Sequence, residues 1–369
     1  MRKSNFGKVF FLFLCWEFIT TSGAFAQEVW HNVLHETENA IDGRWWGDEL
    51  KDSYARLPQR WMEAVRQPVQ LLAKNTAGLS VMFQTNSSEI TIRYAVDGGL
   101  SMWHMPATGV AGVDMYAIDK NGTYRWCGAE YSFSKDTVAY CYKNLLAEMA
   151  PSKGYKFRLY LPLYASVKWM EIGVKQGATW QLYPASQEKP IVVYGTSIAQ
   201  GACASRPGMA WSNILARESG HRVINLGFSG NGRLEPELFA ALAEIDAKLY
   251  IIDCMPNMEY RLDNIIPNTV NGVKKLRSVN QAPILLVEHC GNTNELTSLQ
   301  TKDLYTQTNI RLKKAYKQLQ DEGIKDIFYL SHEDLSLSMD AMVEGVHPTD
   351  LGMRQYANAY LHKVRAILK

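Results

Sequence analysis

The sequence predicts two fold classes in one chain. An all-β sandwich or jelly roll comes first, and an α/β domain with a parallel sheet covered on both faces follows. Three observations carry this reading. Residues 27 to about 180 hold many short alternating runs at close spacing, the mark of a sandwich or jelly roll. From Ile191 onward short apolar runs alternate with amphipathic stretches, the pattern of a three-layer α/β domain. Between them Pro184-Ala185-Ser186-Gln187-Glu188-Lys189-Pro190 is polar and bounded by prolines, as linkers are. The boundaries read from this are 27–183 for the β part, 184–190 for the linker and 191–369 for the α/β part.

Length and composition agree. The chain has 369 residues, 47% hydrophobic and 21% charged, an ordinary globular balance with room for two cores. A formal net charge of +2 lacks the electrostatic footprint of a nucleic-acid binder or of a protein held on an anionic membrane.

The first 26 residues read as a removable secretory leader. Arg2, Lys3 and Lys8 precede a short apolar run, Val9 to Trp16, and Ala24-Phe25-Ala26 precedes Gln27 as a small-x-small cleavage site. The run is too short to span a bilayer. The expected location is therefore secreted or periplasmic. Cleavage removes Cys15 and leaves Cys127, Cys141, Cys203, Cys254 and Cys290. Cys127 and Cys141 flank a hairpin and are candidates to pair in an oxidising compartment. The other three fall near strand ends of the second part.

Strands of the β part are expected at Leu79–Gln84, Ile90–Val96, Thr137–Tyr142, Lys156–Leu161 and Val167–Val174. Those of the α/β part are expected at Ile191–Tyr194, Arg222–Leu226, Lys248–Asp253, Pro283–His289 and Asp326–Leu330. Helical periodicity fills 208–219, 234–245, 262–278 and 300–321. A last helix should start near Asp350, read as its N-cap.

The chemistry concentrates at the ends of those strands. Gly195-Thr196-Ser197 closes the first strand of the α/β part, where open α/β sheets place their ligands. A serine hydroxyl needs a base to become a nucleophile, and histidine has the right pKa range. Glu344-Gly345-Val346-His347-Pro348 offers a histidine and, three residues earlier, a carboxylate to orient it. Gly230 and Asn257 follow two other strands and can donate to an oxyanion, with the N–H of Ser197 itself. Each piece alone is a common turn or cap. Their combination and order are specific.

These motifs resemble the four blocks of SGNH (GDSL-type) hydrolases. Gly195-Thr196-Ser197 resembles the first, Asn225-Leu226-Gly227-Phe228-Ser229-Gly230 the second, Asp253-Cys254-Met255-Pro256-Asn257 the third and Glu344-Gly345-Val346-His347 the last. The resemblance implies a flavodoxin-like three-layer domain, Ser197 as nucleophile, and an oxyanion hole of Ser197, Gly230 and Asn257. His347 is implied as base, oriented by Glu344. Two positions depart from the family pattern: Thr196 and Glu344 each stand where aspartate is usual. Asp340 or a backbone carbonyl is the fallback for orienting His347. Gly112-Val113-Asp114-Met115-Tyr116, with Arg56-Leu57-Pro58 and Gly78-Leu79-Ser80-Val81, resembles the Gly-x-Asp-Leu-Tyr β-domain that precedes some bacterial members.

The expected activity is hydrolysis of short acyl esters, with O-deacetylation of a glycan favoured by the expected export. The alternatives are a lipase, lysophospholipase or thioesterase on the same fold, and a glycan-binding protein whose catalytic half has decayed. Arg206 and Glu288 are candidate substrate contacts from their places near strand ends, and Trp211 and Met209 either border the site or pack a helix. The tryptophans of the β part, Trp30, Trp45, Trp46, Trp61, Trp103, Trp126, Trp169 and Trp180, are either core or sugar-stacking residues. No His/Asp cluster has ligand spacing, so no metal and no organic cofactor is expected.

Overall fold

The computed structural model describes residues 27–145 and 154–369. The leader read at residues 1–26 lies outside them. The N-terminal part contains β1 (Glu28–Asn32), β2 (Ile41–Asp42), β3 (Ser80–Thr85), β4 (Ile90–Asp97), β5 (Asp114–Ile118), β6 (Tyr124–Cys127), β7 (Glu130–Phe133), β8 (Val138–Tyr142), β9 (Tyr155–Tyr160), β10 (Ser166–Lys175) and β11 (Trp180–Leu182). They form two antiparallel sheets, in the order β1-β10-β4-β8-β7 and β11-β3-β9-β5-β6, with β2 added to β3. Alternation turns Val81 and Phe83 of β3, and Ile90, Ile92 and Tyr94 of β4, into one shared core.

That alternation also separates Cys127 from Cys141. Cys127 faces the sandwich interior, whereas Cys141 sits between the buried Tyr140 and Tyr142 and points to the other face of β8. Both are free thiols, as are Cys203, Cys254 and Cys290. The candidate pairing of Cys127 with Cys141 is therefore not formed.

Three short helices of the β part were not legible in the sequence: α1 (Gln59–Ala64), α2 (Gln67–Ala73) and α3 (Ala107–Val110). Each is too brief to show a helical period, and Pro58, Pro68 and Pro106 stand at or next to their starts. Helices α1 and α2 leave the sandwich and lie against the second part. Leu57, Val69 and Ala73 share a core with Tyr194, Leu226 and Leu238.

The second part contains β12 (Ile191–Gly195), α4 (Ser197–Gln200), α5 (Trp211–Ser219), β13 (Val223–Gly227), α6 (Pro236–Leu242), β14 (Leu249–Asp253), α7 (Leu262–Arg277), β15 (Ile284–Val287), α8 (Leu299–Asp321), β16 (Ile327–Leu330), α9 (His332–Leu335) and α10 (Asp350–Ile367). The strands are parallel in the order β13-β12-β14-β15-β16, the flavodoxin-like order with a switch point at β12. All five residues of β12, β13 and β14 are buried, as a sheet covered on both sides requires. Val192 and Tyr194 join the core under α6, α7 and α8. Ile191 and Val193 join the core under α5 and α10, which runs on into the sandwich.

Trp211, read as bordering the site or packing a helix, is fully buried in that second core. Its ring stacks on Tyr360 at 4.2 Å between centroids. Asp350 is the first residue of α10 and not its N-cap. Thr349 caps the helix through Gly352 N–H, and Asp350 instead accepts from the N–H and hydroxyl of Ser205.

Asp253 ends β14 and is buried beneath α10, where the Tyr360 hydroxyl donates to it at 2.9 Å. Burial pushes its carboxyl up to about 7. The folded chain thus holds a proton that the unfolded chain releases, so this group costs stability as pH rises from about 4 through 7. Asp253→Asn should remove that cost. Urea unfolding should show its advantage over wild type growing between pH 5 and pH 8, toward roughly 2–4 kcal/mol. Equal pH dependence in the two proteins would mean that Asp253 does not titrate there.

Candidate active site

Register assembles the site. Gly195 of β12 lies beside Gly227 of β13 and Asp253 of β14, so the loops after the three strands leave the sheet at one level. Ser197, Gly230 and Asn257 follow those aligned residues by two, three and four positions. Gly232 makes the close approach possible, because a Cβ there would lie 1.9 Å from the Gly195 carbonyl oxygen. Thr196 caps α4 by accepting from Ile198 N–H at 3.3 Å, which starts the short helix at the serine. The Asn257 amide donates to Gly232 O at 3.2 Å and Phe228 O at 3.4 Å. This holds it against the turn that carries Gly230.

His347 arrives from the far end of the chain. Its loop is closed by Val343 N–H donating to His347 O at 2.8 Å and by a bridge between Met342 and Pro348. Gly345 turns the chain inside it with φ +95°, a conformation that favours glycine. The loop is sewn to the one after α4, where Cys203 N–H donates to Pro348 O at 2.9 Å and Ser205 binds Asp350. The result places Ser197 Oγ 2.9 Å from His347 Nε2, with the other ring nitrogen, Nδ1, against Glu344 Oε1. Glu344, not Asp340, holds the orienting position. This is the nucleophile–base–acid geometry of serine hydrolases.

Comparison with known proteins places this geometry. Residues 188–365 match the family described as GDSL-like lipase/acylhydrolase. Residues 28–180 match the family described as the N-terminus of SGNH-hydrolase-type esterases. The chain is similar to a GDSL-like lipase from Bacteroides ovatus, at 28% identity and a TM-score of 0.84, covering 93% of this chain and 98% of that one. It shares its fold with a salicylyl-acyltransferase of a tetracycline biosynthetic pathway, at 18% identity and a TM-score of 0.72, covering 92% and 97%. No curated protein matches the chain. The family match supports an enzyme that cleaves ester bonds.

The three candidate substrate contacts are elsewhere. Trp211 is core. Arg206 pairs with Asp114 of the β part and accepts no role at Ser197; it also donates to the Tyr116 hydroxyl at 2.6 Å. Glu288 accepts from the Tyr329 hydroxyl at 2.5 Å and from His332 N–H at 2.6 Å, fixing the start of α9. Near-strand-end placement located these residues on the correct edge of the sheet but did not show which way they turn.

The β part instead supplies Tyr164 and His104, to which the sequence did not point, and Trp103, one of the tryptophans it did. The Tyr164 hydroxyl donates to Ser197 O at 3.2 Å. The ring of His104 lies 5.3 Å from that of His347, and Trp103, 82% exposed, stacks on His104 at 4.1 Å. Burial, and then the neighbouring His347, hold His104 below the usual imidazole range. A cleft of about 420 Å³ runs beside His347, with Leu71, Leu72, Met102, His104 and Tyr164 in its walls. Among the described residues His104, Cys203 and His347 bring three donor atoms within 4.8 Å of one another, from segments too far apart in sequence to show ligand spacing. His347 Nε2 faces Ser197, so the serine arrangement accounts for its orientation without a metal.

Arg56 carries the support from the β part. Its side chain is buried and donates to Leu72 O at 2.6 Å, Asn75 O at 2.9 Å, Gly227 O at 2.8 Å and Asn225 O at 3.1 Å. Its guanidinium lies 4.9 Å from the Phe228 ring centroid. Burial lowers its pKa to about 9, so it remains a cation at neutral pH. Arg56→Ala takes this donor from the carbonyls of Asn75, Asn225 and Gly227, while Leu72 O keeps the Asn75 N–H at 3.1 Å; a buried carbonyl left unsatisfied costs about 1–3 kcal/mol. Urea unfolding should show a loss of at least about 3 kcal/mol, and Arg56→Lys should recover only part, because an ammonium cannot span all four acceptors.

Proposed function

We propose that the protein is an exported serine esterase that removes short acyl groups, chiefly acetyl, from carbohydrate hydroxyls. The observation that carries the catalytic part is the Ser197–His347–Glu344 array at hydrogen-bond distances. His347 takes the Ser197 proton as Oγ attacks the ester carbonyl. The N–H groups of Ser197 and Gly230 and the amide of Asn257 receive the oxyanion, one such donor being worth about 100- to 1000-fold in rate. His347 then protonates the leaving alcohol, and water activated by the same histidine releases the acid from the acyl-enzyme. Glu344 keeps the imidazole in the productive tautomer. No step calls for a metal or organic cofactor.

Two features support a carbohydrate as the alcohol. Trp103 offers an exposed ring beside the two histidines, suited to stacking on a sugar face. The leader-like N-terminus points to substrates outside the cytoplasm. No helix among the described residues is long and apolar enough to cross a membrane. The apolar wall of Leu71, Leu72 and Met102 favours a second reading, a preference for longer acyl chains.

Hydrolysis of 4-nitrophenyl acetate, butyrate and octanoate by residues 27–369 decides between them. The proposal expects acetate to be preferred and Ser197→Ala to be inactive on all three. Octanoate preferred would replace it with the second reading, and activity surviving in Ser197→Ala would overturn the mechanism. Glu344→Gln tests the orienting acid separately. It should lower kcat on the acetate by about 100- to 10,000-fold, with KM little changed.

A further inference from the structure

A second cavity, of about 330 Å³, opens where the β part meets the loop after α4. Trp126, Tyr131 and Tyr140 supply its aromatic surface, and Asp114, Ser205 and Arg206 its polar one. Trp126 and Tyr131 are each 56% exposed. Neither ring is loose. The Trp126 indole N–H donates to Asp114 Oδ1 at 2.8 Å, and the Arg206 guanidinium lies 4.9 Å from its ring centroid. Tyr131 stacks on Tyr140 at 5.2 Å. Asp114 is buried and held in turn by Arg206 and by Gly208 N–H at 2.9 Å.

Tyr140 is 4% exposed and lines the same cavity, backing Tyr131 as a fixed second ring. Rigid aromatic faces flanking a few fixed polar groups match the chemistry of a sugar ring, whose C–H face is apolar and whose edge is a ring of hydroxyls. Fixing the rings beforehand also removes most of the entropy cost of ordering them on binding.

We propose that this cavity is a glycan-binding subsite that holds a sugar residue of the polysaccharide while its ester is presented to Ser197. The proposal rests on the carbohydrate-esterase reading above. The cavity shares Ser205 and Arg206 with the loop that contacts Pro348 and Asp350, next to His347. A chain bound here therefore lies along the segment that positions the catalytic base.

The test compares wild type with Tyr131→Ala and Trp126→Ala on two kinds of substrate. One is 4-nitrophenyl acetate, which carries no sugar; the other is acetate release from acetylated xylan, glucomannan and pectin. Binding of the deacetylated forms is followed by affinity electrophoresis, and urea unfolding checks each fold. Tyr131→Ala removes an exposed ring with no hydrogen bond to the frame, so it keeps the proposal testable if Trp126→Ala is unstable. The expected result is binding of at least one polysaccharide by wild type. Each variant should raise KM on it at least about tenfold, while kcat/KM on the small ester stays within about twofold. Unchanged KM and binding in a folded Tyr131→Ala, or no polysaccharide bound by wild type, would overturn the subsite and leave the esterase reading standing. No hydrolysis of the small ester by wild type would instead remove the reading beneath it.

Discussion

A buried guanidinium joins the two halves directly beneath the site. Arg56 reaches out of the β part and collects the carbonyls at the end of β13, two residues apart, together with two of its own segment. A strand end at a sheet edge normally leaves such carbonyls to water or to a following helix. Here the chain after β13 must turn at once to present Gly230, so no helix is available to cap them. The cation does this work, with carbonyl dipoles in place of a carboxylate. A neutral donor could not serve four acceptors from one side chain. The position of the turn that carries Gly230 thus depends on a residue from the opposite half of the chain.

The same principle extends around the site. Tyr164 holds the Ser197 carbonyl, the Arg206–Asp114 pair anchors the loop after α4, and that loop in turn secures the segment bearing His347. The reacting groups belong to the α/β half, but the β half sets much of their surroundings. Asp114 of the Gly-x-Asp-Leu-Tyr motif gains a physical meaning from this. It neutralises Arg206, accepts from Gly208 N–H and fixes Trp126.

The sequence made the α/β half readable because its strands are buried on both faces. Continuous apolar runs such as Ile191–Tyr194 leave little ambiguity, and strand ends then locate Ser197, Asn257 and the turn before Gly230. The pairing of His347 with Glu344 was legible because both lie within one tight loop. What stayed hidden shares a different trait, since it depends on which way a side chain turns across a long sequence separation. Arg206, Trp211 and Glu288 were placed at the right level of the sheet yet point into the framework. His104, Tyr164 and Arg56 meet the site only through the packing of the halves. Helices α1 and α2 were missed because so few residues carry no period.

The core beneath α5 and α10 continues without interruption into the sandwich, and the opposite core takes in Leu57, Val69 and Ala73. The polar segment at 184–190 is therefore a seam in composition and not a hinge. Paired domains ordinarily rock about their linker unless the surface between them is large and apolar. In this molecule hinge opening would tear a continuous hydrophobic interior on both sides of the sheet. Entry and departure at the cleft must then rely on small rearrangements of rim side chains and loops, and a large substrate must approach along the outer surface without the two halves parting.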